Sequence, residues 1–251
     1  MGGIHTVIKS KAKYTQALWG EQYCMIGAYM GPQHYNSETL ETIDPLKISN
    51  RILQQTVQQL QKEGWSIHVG IWKIEGNPLV LLLDPMQIPK GFDEFHRDFQ
   101  AQYVEALPKI FIVEAYLRFG YCLLRFFETL TQQSDTHPNK PTILAHFQEY
   151  MVATSLPKIS QLGVRTIFTT HSTVAGRYLL ANDPQLFQTI QREQQTYQLS
   201  LKSSYVRICE HIELQASKHA NVFTTVSEIT AKECNFFLGR CPDFIDRKSV
   251  V

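Results

Sequence analysis

From Lys109 to Leu238 the chain repeats one rhythm: a helical block of ten residues or more, then a short apolar run. Lys109–Leu130 has helical periodicity, and Thr142-Ile143-Leu144-Ala145-His146 follows a break rich in Pro and Asn at 137–141. The pattern predicts a helix over Glu149–Leu162, ending at Gly163, and a strand over Val164–Thr170. Helical blocks fill 173–218, a strand follows at Asn221–Val226, and Ser227 caps a helix over Glu228–Leu238. Strands separated by helices of that length need crossover connections, and crossovers build parallel sheet. The apolar runs at 143–145 and 166–168 predict strands covered on both faces. The expected fold class is α/β: Rossmann-like, with a mostly parallel sheet flanked by helices.

The part before Lys109 departs from that rhythm. Gly2-Gly3-Ile4 leads into a candidate first helix, and Tyr23-Cys24-Met25-Ile26 is a short apolar run that suits a buried strand. Leu53, Val57 and Leu60 fall at i, i+4 and i+7 in a Gln-rich segment, an amphipathic helix that stops at Gly64. Trp65–Ile74 alternates, Leu79–Leu83 is continuously apolar, and Gly76-Asn77-Pro78 between them predicts a hairpin, an antiparallel excursion from the parallel scheme. There is no internal repeat, and the Gln clusters at 54–61 and 188–198 suit solvated helix faces.

Charge and cysteine usage narrow the function. Lys plus Arg number 24 against 23 Asp plus Glu, which removes the electrostatic case for a dedicated nucleic-acid or anionic-membrane binder. The five cysteines (Cys24, Cys122, Cys209, Cys234, Cys241) form no CxxC, so neither a disulfide scaffold nor a zinc site is expected. Met1-Gly2-Gly3-Ile4-His5 runs into Lys9, Lys11 and Lys13 without the apolar stretch of a signal peptide. Ile110–Phe127, the most apolar long window, carries Glu114, Arg118 and Arg125, which suits a buried helix better than a lipid span. The expected location is cytoplasmic.

In an open parallel sheet, ligands bind beyond the carboxyl ends of the strands. Three predicted strand ends carry polar residues there: His146-Phe147-Gln148-Glu149, Thr169-Thr170-His171-Ser172-Thr173 and Thr224-Thr225-Val226-Ser227-Glu228. The last two lead with hydroxyls into helix starts, where backbone N–H groups favour anions, although Ser227 is better read as a plain N-cap. Arg177 lies six residues after His171, so the imidazole and the guanidinium fork can face one crevice. From the residues alone, a core histidine with a surface arginine is the favoured reading, and the shared crevice is the alternative. No Cys, His or carboxylate spacing suits a metal, and no GxGxxG follows a strand, which disfavours a nicotinamide enzyme.

Several stretches together resemble one family. They are Gly2-Gly3-Ile4-His5-Thr6-Val7-Ile8-Lys9-Ser10-Lys11-Ala12, Ile26-Gly27, Ile74-Glu75-Gly76-Asn77-Pro78 running to Asp84, and Ala145-His146-Phe147. The longest is Thr166-Ile167-Phe168-Thr169-Thr170-His171-Ser172-Thr173 with Gly176-Arg177-Tyr178-Leu179, and the last is Val222-Phe223-Thr224-Thr225-Val226-Ser227-Glu228-Ile229-Thr230-Ala231. In order and spacing they resemble the animal and fungal type of glycogen synthase, glycosyltransferase family 3. The resemblance implies a two-domain GT-B enzyme that moves glucose from UDP-glucose to the non-reducing 4-hydroxyl of an α-1,4-glucan with retention, without a metal or other cofactor. By resemblance His171 is the catalytic histidine, and Gly2, Gly3 and Arg177 hold the donor. His146, Gln148, Glu149, Ser172, Thr173, Ser227 and Glu228 are candidate cleft-lining residues. The partners implied are UDP-glucose and a glycogen or α-1,4-glucan primer, with glycogenin and self-association in the full-length protein.

The departures set further expectations. The family's His-Phe-His-Glu-Trp stands here as His146-Phe147-Gln148-Glu149-Tyr150, and the family's basic and aromatic pattern is poorly kept at 205–214. These are the only support for a non-catalytic relative acting as a regulatory or interaction module. The resemblance covers an N-terminal domain alone, expected over 1–245, and leaves the second domain outside the chain. Residues 246–251 match nothing in the family and are expected to be a non-native tail. The chain alone is expected to be inactive.

Overall fold

Two four-stranded sheets, one mixed and one wholly parallel, organise the computed structural model of the chain, which describes residues 3–36, 38–103, 106–182 and 203–246. The chain divides into two units, residues 1–92 with 121–142, and residues 93–120 with 143–251.

In the first unit, α1 (Gly3–Trp19) precedes β1 (Cys24–Ala28), β2 (Leu40–Thr42), α2 (Arg51–Lys62), β3 (Ile67–Trp72) and β4 (Leu79–Leu83). The sheet order is β1-β4-β3-β2. Strand β1 runs parallel to β4, while β3 pairs antiparallel with both β4 and β2. The expected hairpin and its excursion are therefore present. Its turn needs Gly76: φ is +97°, and a Cβ there would lie 2.8 Å from Lys13 Cα. Helix α2 starts where Asn50 Oδ1 accepts from Leu53 N–H, and it buries Leu53, Thr56, Val57 and Leu60. Among the described residues no helix is long and apolar enough to cross a membrane.

The chain continues through α3 (Phe92–Gln102) and α4 (Phe111–Asp135) into the second unit's sheet. That sheet comprises β5 (Leu144–Gln148), β6 (Arg165–Thr170), β7 (Val222–Thr225) and β8 (Phe244–Ile245), all parallel and in that order. Helix α5 (Leu156–Gln161) joins β5 to β6, and α6 (Val174–Asn182) follows β6. Helix α7 (Ser204–His219) precedes β7, and α8 (Glu228–Glu233) with the π-helical turn Cys234–Leu238 links β7 to β8. At the centre, Phe168 and Phe223 on adjacent strands stack with centroids 5.7 Å apart and are fully buried, with Ile208 and Ile212 of α7 also in the core. The helical blocks expected over 173–218 fall partly on 183–202, outside the described residues. Residues 247–251 of the expected tail also lie outside them, while β8 carries the parallel pairing to Ile245.

Two expectations are corrected. Strand β5 is the first strand of its sheet and is not covered on both faces: Ala145 and Phe147 are buried, whereas Leu144 and His146 are exposed. The helix expected over Glu149–Leu162 is broken into a short helical turn, Tyr150–Val152, and α5. It cannot start at Glu149, whose φ of +73° and ψ of 160° lie outside the helical region. Such a conformation costs on the order of 1–3 kcal/mol in a non-glycine residue and persists only where the surroundings impose it.

Candidate active site

The carboxyl ends of β5, β6 and β7 bring most of the predicted polar residues to one end of the parallel sheet. A hydrogen-bonded chain runs across them. Thr224 Oγ1 lies 2.6 Å from Thr169 Oγ1, which lies 2.7 Å from His146 Nε2. Gln148 then joins two histidines: its amide nitrogen donates to His146 Nε2 at 2.9 Å, and its Oε1 lies 3.0 Å from His171 Nε2. An amide oxygen can only accept, so in this arrangement His171 carries its proton on Nε2. Gln148 thus fixes one tautomer and cannot itself become a cation.

Glu149 accounts for the break in the predicted helix. It is 1% exposed, and its Oε1 accepts from the His171 backbone N–H at 2.8 Å. Its Oε2 makes no hydrogen bond and faces Arg177 at 3.8 Å. Arg177 is 57% exposed and donates through Nη2 to the Ser172 carbonyl at 3.1 Å. Burial raises the Glu149 carboxyl above the usual range, opposed by the His171 N–H and by the charge of Arg177. The imidazole-bearing residue and the guanidinium are therefore gathered around one buried carboxylate. Beneath it, Tyr150 is buried edge-to-face with Tyr116, and the Tyr116 hydroxyl lies 3.3 Å from that of Tyr205.

Two more acids hold the same turn, and sequence reasoning missed both. Glu213 of α7 is fully buried; its Oε1 accepts from Thr170 Oγ1 at 2.6 Å and its Oε2 from Val174 N–H at 2.8 Å. Glu233 of α8 is 4% exposed, and its Oε2 accepts from Thr173 Oγ1 at 2.8 Å and Thr173 N–H at 3.3 Å. Burial pushes the Glu213 carboxyl up to about 8 and also raises Glu233, with Arg177 drawing each partly back. An acid within an amphipathic helix gives no sequence signal of this kind; only the fold brings it to the turn.

The helix starts need a correction too. The α6 start is not an open anion cradle: Val174 N–H is taken by Glu213, and Gly176 N–H by Thr173 Oγ1 at 3.1 Å. Thr173 is fully buried, so it anchors the turn from beneath rather than lining an open surface. Ser227 is the N-cap of α8, accepting from Thr230 N–H at 3.1 Å, and Glu228 is exposed in the first turn. Gly3 opens α1 in the first unit, and Gly2 lies outside the described residues. Among the described residues no His, Cys, Asp and Glu side chains are grouped so as to hold a metal ion.

Comparison with known proteins bears on what such a site does. A sequence model of the glycogen synthase family matches residues 1–250. The chain is 34% identical over 246 residues to glycogen (starch) synthase of Neurospora crassa, covering 97% of this chain and 33% of that protein. It is 34% identical over 249 residues to the liver glycogen (starch) synthase of Rattus norvegicus, covering 98% and 34% respectively. The same identity holds over 250 residues of the Homo sapiens liver protein, covering 98% and 34%. The chain thus spans about a third of the length of these relatives.

Proposed function

The chain belongs to the glycogen synthase family, and from that premise we propose that it is the N-terminal, Rossmann-like domain of a retaining glucosyltransferase of the GT-B type. The complete enzyme transfers glucose from UDP-glucose to the non-reducing 4-hydroxyl of a glycogen or α-1,4-glucan primer in glycogen biosynthesis, in the cytoplasm. Glycogenin as primer-bearing partner and self-association belong to the same proposal.

The observation that carries it is the convergence of His171 and Arg177 on Glu149 at the end of β6. Arg177, largely exposed, meets the negative charge of the donor diphosphate and of the departing UDP. His171 stands where the glucose becomes oxocarbenium-like, and its Nε2–H, donated to Gln148 in this structure, becomes the donor to the sugar when the substrate displaces that amide oxygen. The countercharge comes from side chains, so the proposal asks for no metal or other cofactor. Gln148, bonded to both histidines, is a working part of this arrangement.

The test is transfer of labelled glucose to glycogen by the full-length protein and its His171→Ala variant. An aimed donor of this kind is worth about 3 kcal/mol in the transition state, so kcat should fall at least tenfold. Residues 1–251 alone should transfer none. An unchanged kcat for the variant would remove His171 from the reaction centre.

A further inference from the structure

We propose that Glu213 and Glu233 are positioning residues of the donor site: two buried carboxylates that clamp the turn from Thr170 to Gly176 so that it presents His171 and Arg177 together. The inference rests on the reading of that turn as the donor site. Neither acid needs to be there to start the helix. Thr173 already caps α6 by accepting from Gly176 N–H, just as Ser227 caps α8 by accepting from Thr230 N–H. The two acids are additional, and they come from residues 39 to 60 positions away from the groups they hold.

Their placement is costly, which makes the geometry informative. A buried carboxyl group, whether or not it carries its proton, loses its hydration and must recover those hydrogen bonds from fixed partners. Glu213 recovers them from Thr170 Oγ1 on one side of His171 and Val174 N–H on the other, straddling the histidine. Glu233 takes both donors of Thr173, between the histidine and α6. With Glu149 on the His171 N–H itself, acids from three separate segments fix one short turn. Packing leaves the clamp little slack. A Cβ on Gly176 would stand 2.5 Å from Thr173 Oγ1 and 2.8 Å from Glu233 Oε2. A change of rotamer at either acid would shift the turn, moving the imidazole and the first turn of α6, where Arg177 sits.

Two measurements test this. In the 251-residue chain, amide hydrogen exchange is followed at His171, whose N–H bonds Glu149 rather than either clamp, and at buried β6 amides as the control. Glu213→Ala and Glu233→Ala should speed exchange at His171 at least tenfold more than at the control, while Glu213→Gln, which keeps an acceptor and a polar partner for Thr170, stays within threefold of the parent. In the full-length protein the Ala variants should lower kcat at least tenfold, and Glu213→Gln should restore it to within threefold. Should an Ala variant fail to fold, Gly176→Ala supplies the same readouts by wedging Glu233 from Thr173. Equal acceleration at His171 and control, unchanged kcat in the Ala variants, or a Gln variant as impaired as Ala each overturns the proposal. If the parent full-length protein transfers no glucose, the transferase reading fails, and the exchange measurement still decides the clamp.

Discussion

Helices α6 and α8 begin in the same way and are held quite differently. Each follows a strand of the parallel sheet, and each has a hydroxyl cap that accepts from the third backbone N–H of the helix. At α8 the cap is the Ser227 hydroxyl, which also lies 2.9 Å from Thr230 Oγ1; Ser227 is half-buried, and the first helical residues, Glu228 and Ile229, are exposed. At α6 the capping Thr173 is fully buried, and Glu213 and Glu233 reach in to hold Val174 and Thr173. A local cap suffices to start a helix. The added acids therefore mark the turn whose exact shape matters, and that turn carries His171.

The largest effect expected from this contrast is on stability. Glu213→Ala strands the Val174 N–H in the core, leaves Thr170 Oγ1 only its longer contact to the Ser172 carbonyl, and opens a void, a cost on the order of 4 kcal/mol. Urea unfolding of the 251-residue chain measures it. A loss below about 1 kcal/mol would place α6 beside α8 as a locally capped helix.

The next effect is a slope with pH. An unfolded Glu titrates near ~4.3. Burial pushes folded Glu213 up to about 8, so between those values the folded chain keeps a proton that the unfolded chain has released. Stability contributed by this carboxyl is greatest below the unfolded value and is lost as pH rises towards 8, by at most about 1.4 kcal/mol per pH unit. Glu149 and Glu233, raised by burial, act in the same direction. His211 is lowered by burial, so its effect lies below the ordinary histidine range and drops out above it. Unfolding free energies measured between pH 6.5 and 8 should fall with pH in the parent and fall less steeply in Glu213→Gln. Equal slopes in the two would show that Glu213 is ionised in the folded chain throughout.

The same contrast explains what could be read from the sequence. Ser227 was legible because a cap and its helix are neighbours in the chain. The alternation of strands and helices was legible because periodicity is local, and it placed β3, β4, β6 and β7 closely. Strand β2 went unpredicted because it has only three residues and two of them are exposed. Helix α3 also went unpredicted, although Phe92, Phe95 and Phe99 stood at i, i+3 and i+7 as its signal and all are buried. At the site, the spacing of His171 and Arg177 suggested convergence, and Glu149 entered only as a candidate lining residue. Its role as the hub followed from a backbone conformation that no propensity predicts. Glu213 and Glu233 were out of reach, since an acid on a helix ordinarily marks the solvated face.

The smallest effect closes the comparison from the other side. Ser227→Ala removes a cap oxygen that accepts from Thr230 N–H and lies 2.9 Å from Thr230 Oγ1, and the cost should be about 1 kcal/mol, the ordinary loss of a helix cap. It should leave amide exchange at His171 unchanged, because Thr230 Oγ1 meets the His171 carbonyl at 3.5 Å, the limit of a hydrogen bond. The informative quantity is the ratio of the two effects. A loss for Ser227→Ala approaching that of Glu213→Ala, accompanied by faster exchange at His171, would mean that Thr230 transmits the cap into the site. The α8 start would then belong to the clamp rather than serve as its contrast.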